Sequence, residues 1–182
     1  MKQLLPALLV LTLLAGCKKD DPEADLPPPT HAGLNTGGCL IDGKRFVAKT
    51  YGGNLLSSPI QGVNGGFYFD SLYYLTLNGG PGEGTVSLFL RRPSPRTYLL
   101  NQTTLYYPQG DPLYLLDHAM VTYPGGRGEV YVTDAQHPGS VTLTHADIRT
   151  LISAGTFEFT AVSTFDPSKT VRVTKGRFDS KQ

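Results

Sequence analysis

The chain has 182 residues, a formal net charge of +1, 40% hydrophobic side chains, two cysteines and no tryptophan. A balance of 16 basic against 15 acidic residues excludes a global field of the kind that draws nucleic acid or an anionic surface. Two cysteines exclude a disulfide-dense scaffold, and the length suits one domain with an appendage.

Residues 1–16 read as a targeting segment. Lys2 supplies a positive start, and Leu4 to Leu14 form an apolar run interrupted by Pro6 and Thr12. The run is shorter than the roughly 20 residues that span a bilayer, so it reads as a secretory signal that is removed. Its end, Leu14-Ala15-Gly16-Cys17, resembles the bacterial lipobox. That resemblance implies cleavage before Cys17 and acylation of Cys17. Two or more acyl chains anchor stably, at about 0.8 kcal/mol per buried methylene. The alternative is an ordinary signal peptide with an incidental cysteine. If Cys17 carries lipid, Cys39 is the only thiol left, and its apolar neighbour Leu40 suggests a buried cysteine rather than a reactive one.

Residues 17–37 follow as "CKKDDPEADLPPPTHAGLNTG". Few large apolar side chains and a Pro-Pro-Pro run predict an extended, disordered tether reaching roughly 60 Å from the membrane. The block Lys18, Lys19, Asp20, Asp21 directly behind the cysteine resembles an export signal of Bacteroidota lipoproteins. That resemblance implies the outer leaflet, facing the medium.

From Gly38 to the end, residues 38–182 read as a single β domain. "CLIDGKRFVAK" is a hairpin with Asp42-Gly43 at its turn. "GFYFDSLYYLTLNGG" places Phe67, Phe69, Tyr73, Leu75 and Leu77 on one face. "TVSLFLRR" sets Val86, Leu88 and Leu90 against Thr85, Ser87 and Phe89. "RTYLLNQT", "HAMVTYPGG", "GEVYVTD" and "GSVTLT" are further strands. "GTFEFTAV" turns Phe157, Phe159 and Ala161 inward, and "TVRVTKGRF" does so with Val171 and Val173. Gly/Pro clusters such as "NGGPGEG", "RRPSPR" and "QHPG" separate the runs. The pattern predicts an all-β fold, an antiparallel β-sandwich with a β-barrel as the alternative. One short helix is expected near 145–152: Thr144 with Asp147 three residues on is a capping-box-like start, and Ile148, Leu151 and Ile152 would share a face.

The set "NTGGCLIDGKRFVA", "PRTYLL", "GSVTLTHAD", "ISAGTFEFTAV" and "VRVTKGRFD" is similar, in order and spacing, to an uncharacterised lipoprotein family of Bacteroidota, a domain of unknown function. The resemblance covers residues 35–179. Many members carry an aromatic, often tryptophan, where this chain has Phe46. The resemblance implies an all-β domain outside the cytoplasm and implies no activity. In "TKGRFD", Gly176 is expected to end a strand, Phe178 to fill the core, and Arg177 or Asp179 to pair at the rim.

No catalytic residue stands out. His31, His118, His137 and His145 show no ligand spacing, so no metal is expected, and the histidines read as solvated loop or edge residues. No G-x-S-x-G elbow occurs, and the glycine-rich loops do not match a phosphate-binding pattern. The one candidate binding patch joins Arg91, Arg92 and Arg96 of "RRPSPR" with Tyr106 and Tyr107. Guanidinium groups suit phosphates, and aromatic faces stack on sugars or peptides.

The expectation is therefore a membrane-anchored lipoprotein of the bacterial cell envelope, in the outer membrane and facing the medium, with a non-enzymatic binding or structural role. Its partners would be the membrane, through the covalent lipid on Cys17, and a protein, glycan or lipid ligand. No other cofactor and no nucleic acid are expected. The alternatives are a periplasm-facing placement, a small-ligand or lipid carrier in a β cavity, and an envelope hydrolase, which would need convergent polar groups in a pocket.

Overall fold

The structure is a computed structural model and describes residues 21–68, 71–104, 116–124 and 129–182. The described residues contain eleven strands: β1 (Thr36–Ile41), β2 (Lys44–Val47), β3 (Val63–Tyr68), β4 (Leu72–Asn78), β5 (Thr85–Arg91), β6 (Arg96–Leu100), β7 (His118–Tyr123), β8 (Glu129–Val132), β9 (Gly139–Asp147), β10 (Ile152–Ser163) and β11 (Thr170–Lys181). All pairings are antiparallel, in the order β2-β1-β11-β10-β8-β7-β5-β4-β3. One edge of the long strand β10 serves two partners. Residues 152–159 pair with β9, which carries β6, and Val162 and Ser163 pair with β8.

The result is one strongly curled sheet forming a half-barrel. The all-β, antiparallel expectation holds, and of the two architectures expected, a single curled sheet lies nearer the barrel. A bulge shows where the curl arises. Phe157 pairs with Gly176 and Phe159 with Val173, so the pairing slips by one residue at Thr174-Lys175. Lys175 takes a left-handed φ of 55° there. The β1 register slips against the same stretch of β11. Gly176 does not end a strand. It lies inside β11, and a Cβ there would stand 2.4 Å from the Phe157 ring. The curl brings β3 round to the chain end, where the Phe67 amide donates to Gln182 Oε1 at 3.0 Å.

Alternation fills the interior as expected. Leu75, Leu77, Val86, Leu88, Phe157, Phe159, Ala161, Val171, Val173 and Phe178 all lie in one core cluster. Phe69 lies outside the described residues. Cys39 is fully buried in the same cluster, and burial pushes its thiol pKa up to about 12, so it is an inert core group.

Three expectations need correcting. The helix near 145–152 is absent. Thr144 to Asp147 continue β9 in register with Ile152–Ala154, and Ile148–Leu151 form a four-residue turn. Asp147 does cap, accepting the Arg149 amide at 2.8 Å, but it caps a hairpin turn closed by Leu151 at φ 56°. Pairing with β10 overrides local helix preference, because Ile148 and Leu151 find no apolar face to cover and stay 44% and 37% exposed.

The second correction concerns the histidines. His118 is fully buried and stacks on Phe89, with centroids 4.4 Å apart and planes 7° apart. His31, expected in a free tether, stacks on His145 at 5.8 Å and pairs with the Thr144 hydroxyl at 3.0 Å.

The third correction is the tether itself. From Glu23 on, the segment is docked on the sheet. Leu26 is buried over Gly38 beside Phe46. Arg177 reaches the Glu23 and Leu26 carbonyls at 3.3 and 3.4 Å and the Glu23 carboxylate at 3.5 Å. The Asp179 carboxylate accepts the Thr30 hydroxyl at 2.5 Å and the amides of Ala32 and Gly33 at 3.0 and 2.7 Å. Low average hydrophobicity predicted disorder, but one leucine and two side chains from β11 suffice to dock the segment.

Candidate functional site

The loop between β5 and β6 is built to present arginines. Pro93 and Pro95 cannot continue a ladder, so β5 stops at Arg91 and the chain turns. Arg92 adopts a left-handed φ of 52°, and its amide donates to the Ser71 carbonyl at 2.6 Å. The loop then wraps a buried hydroxyl. Tyr98 Oη accepts the Ser94 amide at 2.8 Å and faces the Arg92 and Ser94 carbonyl oxygens at 3.0 and 3.1 Å as donor. Arg96 lies over the Tyr98 ring, 4.4 Å from its centroid, and donates to the Arg91 carbonyl at 3.2 Å.

These contacts bring Arg91, Arg92 and Arg96 to one open cleft of about 460 Å³, shared with Ser71, Leu72 and Asp117. Asp117 accepts the Arg91 amide at 2.7 Å and stands 3.9 Å from Arg91 Nε. Three guanidinium groups face one carboxylate, and that carboxylate is already engaged. Among the described residues Arg92 forms no ion pair. A concave site with excess positive charge attracts anions, and the planar forks of arginine match phosphate, sulfate or carboxylate oxygens.

A larger cleft, about 740 Å³, opens beside β2 between Asp42, Lys44, Arg45, Phe46, Lys49, Glu83 and Tyr123. Two of its three cations are paired in place. Lys49 pairs with Glu83 at 2.9 Å, Arg45 with Asp25, and Asp42 accepts the Arg172 amide at 2.8 Å. Burial, with the Asp42 charge adding to it, pushes the Tyr123 hydroxyl up to about 12. The smaller cleft is therefore the better candidate, since it gathers three guanidinium groups around a single carboxylate.

The family model for a domain of unknown function, DUF6252, matches residues 60–180. The chain belongs to this family. The matched span runs from the approach to β3 through most of β11, and so includes the arginine cleft of the DUF6252 domain together with Arg177 and Asp179. No curated protein and no solved structure matches the chain.

The sequence-predicted site residues fall into three groups. Arg91, Arg92 and Arg96 line one cleft. Tyr106 and Tyr107, and Cys17, Lys18, Lys19 and Asp20, lie outside the described residues. Asp21 is described, and its carboxylate accepts the Glu23 amide at 3.0 Å in the docked turn. No cluster of three metal-holding groups occurs among the described residues. Sequence reasoning missed Tyr98 and Asp117 as cleft builders. The Arg96-x-Tyr98 spacing, two residues on one strand face, was the available signal for Tyr98. Asp117 had none, because it stands opposite Arg91 only through the pairing of β5 with β7. Arg177 and Asp179 were singled out as rim groups that pair. Arg177 does pair, with Glu23, and both groups hold residues 23–33 through hydrogen bonds about 150 positions away along the chain.

Proposed function

We propose that this chain is a lipid-anchored protein of the bacterial cell envelope, held in the outer membrane through Cys17 and facing the medium. It acts without catalysis, by binding an anionic group of a partner glycan, protein or lipid. The observation that carries the binding role is the convergence of Arg91, Arg92 and Arg96 on one cleft with a single, already engaged carboxylate. The interior gives little support to a carrier, since core side chains such as Leu75, Leu88, Val141 and Val173 are fully buried against one another. The anchor rests on Leu14-Ala15-Gly16-Cys17, and the outward placement on Lys18-Lys19-Asp20-Asp21.

The test has two arms. Cells fed labelled palmitate should yield a labelled chain, and Cys17→Ser should not. Absence of label from the wild-type chain overturns the anchor. A sulfated oligosaccharide or inorganic pyrophosphate, titrated at low salt, should raise the melting temperature by mass action. The rise should shrink in high salt. The double variant Arg92→Ala/Arg96→Ala should weaken the apparent affinity about tenfold, the loss of one or two charge-assisted contacts. An equal response from variant and wild type overturns the assignment of the cleft.

A further inference from the structure

The segment between β2 and β3 projects two adjacent leucines into solvent. Leu55 is 100% and Leu56 94% exposed, against 37–63% for the other exposed large apolar residues among those described. They do not sit on a frayed loop. Tyr51 and Ile60 exchange backbone hydrogen bonds at 3.0 and 2.9 Å, and Asn54 and Ser57 do so at 3.0 and 3.3 Å. Asn54 Oδ1 also accepts the Leu56 amide at 2.8 Å and the Ser57 hydroxyl at 3.1 Å. The turn is thus a small hairpin in which the Asn54, Leu56 and Ser57 amides and the Ser57 hydroxyl are satisfied internally, which lowers the cost of entering a medium poor in water. No charged side chain occurs from Thr50 through Tyr68, so inserting the tip drags no charge with it.

We propose that the 51–60 hairpin is a second membrane contact, dipping Leu55 and Leu56 into the interface of the bilayer that holds the lipid. This rests on the anchor reading above. Two features favour a bilayer over a protein. The patch amounts to on the order of 300 Å², short of the ~800 Å² per partner of a stable protein interface. A lipid surface sets no such minimum, and weak partition suffices once an anchor keeps the surface close. Position agrees. The docked segment enters at β2, where Asp25 pairs with Arg45, and the hairpin leaves from the same strand, with Lys49 four residues beyond Arg45. Only six peptide steps separate Cys17 from Glu23, the first residue held to the sheet, which spans at most roughly 21 Å. The side of the domain that carries the hairpin is therefore the side held near the bilayer.

The chain has no tryptophan, so Leu56→Trp places a lone reporter at the tip. The full mature chain is mixed with an excess of phosphatidylethanolamine/phosphatidylglycerol vesicles carrying brominated acyl chains. Emission should shift to the blue and lose most of its intensity, while Leu99→Trp, at a 63% exposed position on β6, should keep both. Retention in the vesicle pellet reports the anchor separately. A retained chain with an unshifted, unquenched tip overturns the hairpin contact and leaves the anchor standing. A chain neither retained nor quenched overturns both. Equal quenching at residues 56 and 99 overturns a tip-specific insertion.

Discussion

His118 shows what one buried group does to the molecule. Burial lowers its pKa to about 4, and the hydrogen bond between Nδ1 and the Leu116 carbonyl, which would raise it, only partly opposes this. Nε2 has no hydrogen-bond partner among the described residues, so the neutral ring sits as a flat apolar plate on Phe89. The unfolded chain takes up a proton near pH 6.5, and the folded one only near 4. Stability from this residue is complete above pH 6.5 and is lost as pH falls toward 4. The loss approaches about 3 kcal/mol, from roughly 1.4 kcal/mol per pKa unit. The carboxylates held below their usual range, Asp134, Asp147, Asp166 and Asp179, lose their contribution only lower, from about pH 4 down. Denaturant melts of wild type and His118→Phe between pH 7 and 4.5 should show a steep decline only in the wild type. Parallel curves would assign the acid sensitivity elsewhere.

At the scale of the element, β11 does two jobs. Its inward residues Val171, Val173 and Phe178 fill the core, and its Arg177 and Asp179 hold residues 23–33. Burial raises the Asp179 carboxyl, but the hydrogen bonds from Thr30, Gly33, Ala32 and Leu34 outweigh it and leave the group below its usual range. Gly33 meets this carboxylate at φ +70°, where a Cβ would also press on Lys181 at 2.8 Å. Asp179→Ala leaves the half-buried Thr30 hydroxyl and the amides of Ala32, Gly33 and Leu34 without this acceptor, at a cost of about 1–3 kcal/mol. Amide exchange across residues 28–35 should then accelerate well beyond that across β5. Uniform acceleration throughout would show that Asp179 supports the whole sheet rather than this segment. The element scale also shows what the sequence made legible. Strands with clean alternation, such as Phe157, Phe159 and Ala161 or Val171 and Val173, were readable because burial repeats every second residue. The turn at Ile148–Leu151 was misread because a local capping signal is shared by helices and tight hairpins. The docked segment was illegible because its partners are supplied by the far end of the chain.

At the scale of the whole molecule, docking changes how far the domain would stand from the proposed anchor at Cys17. A free tether would let the domain range roughly 60 Å from the bilayer. With Leu26 buried and residues 23–33 held by Arg177 and Asp179, six peptide steps remain between Cys17 and Glu23, about 21 Å at full stretch. The segment thus converts a flexible leash into a short mount, and it leaves near β2, away from β6 and the arginine cleft along the order of the sheet. On the proposed anchor at Cys17, a domain mounted this way would lie against the membrane in a restricted orientation, with the proposed contact of residues 51–60 as its second support. Neutron reflectometry of the lipidated chain on a supported bilayer should find protein density beginning at the headgroups, with no dilute layer between. The double variant Arg177→Ala/Asp179→Ala removes both groups that hold the segment, so a dilute layer tens of ångströms deep should open beneath the domain, limited by the roughly 60 Å reach of the freed chain. A dilute layer already present beneath the wild-type domain would mean that the contacts of Arg177 and Asp179 do not hold the segment at the membrane.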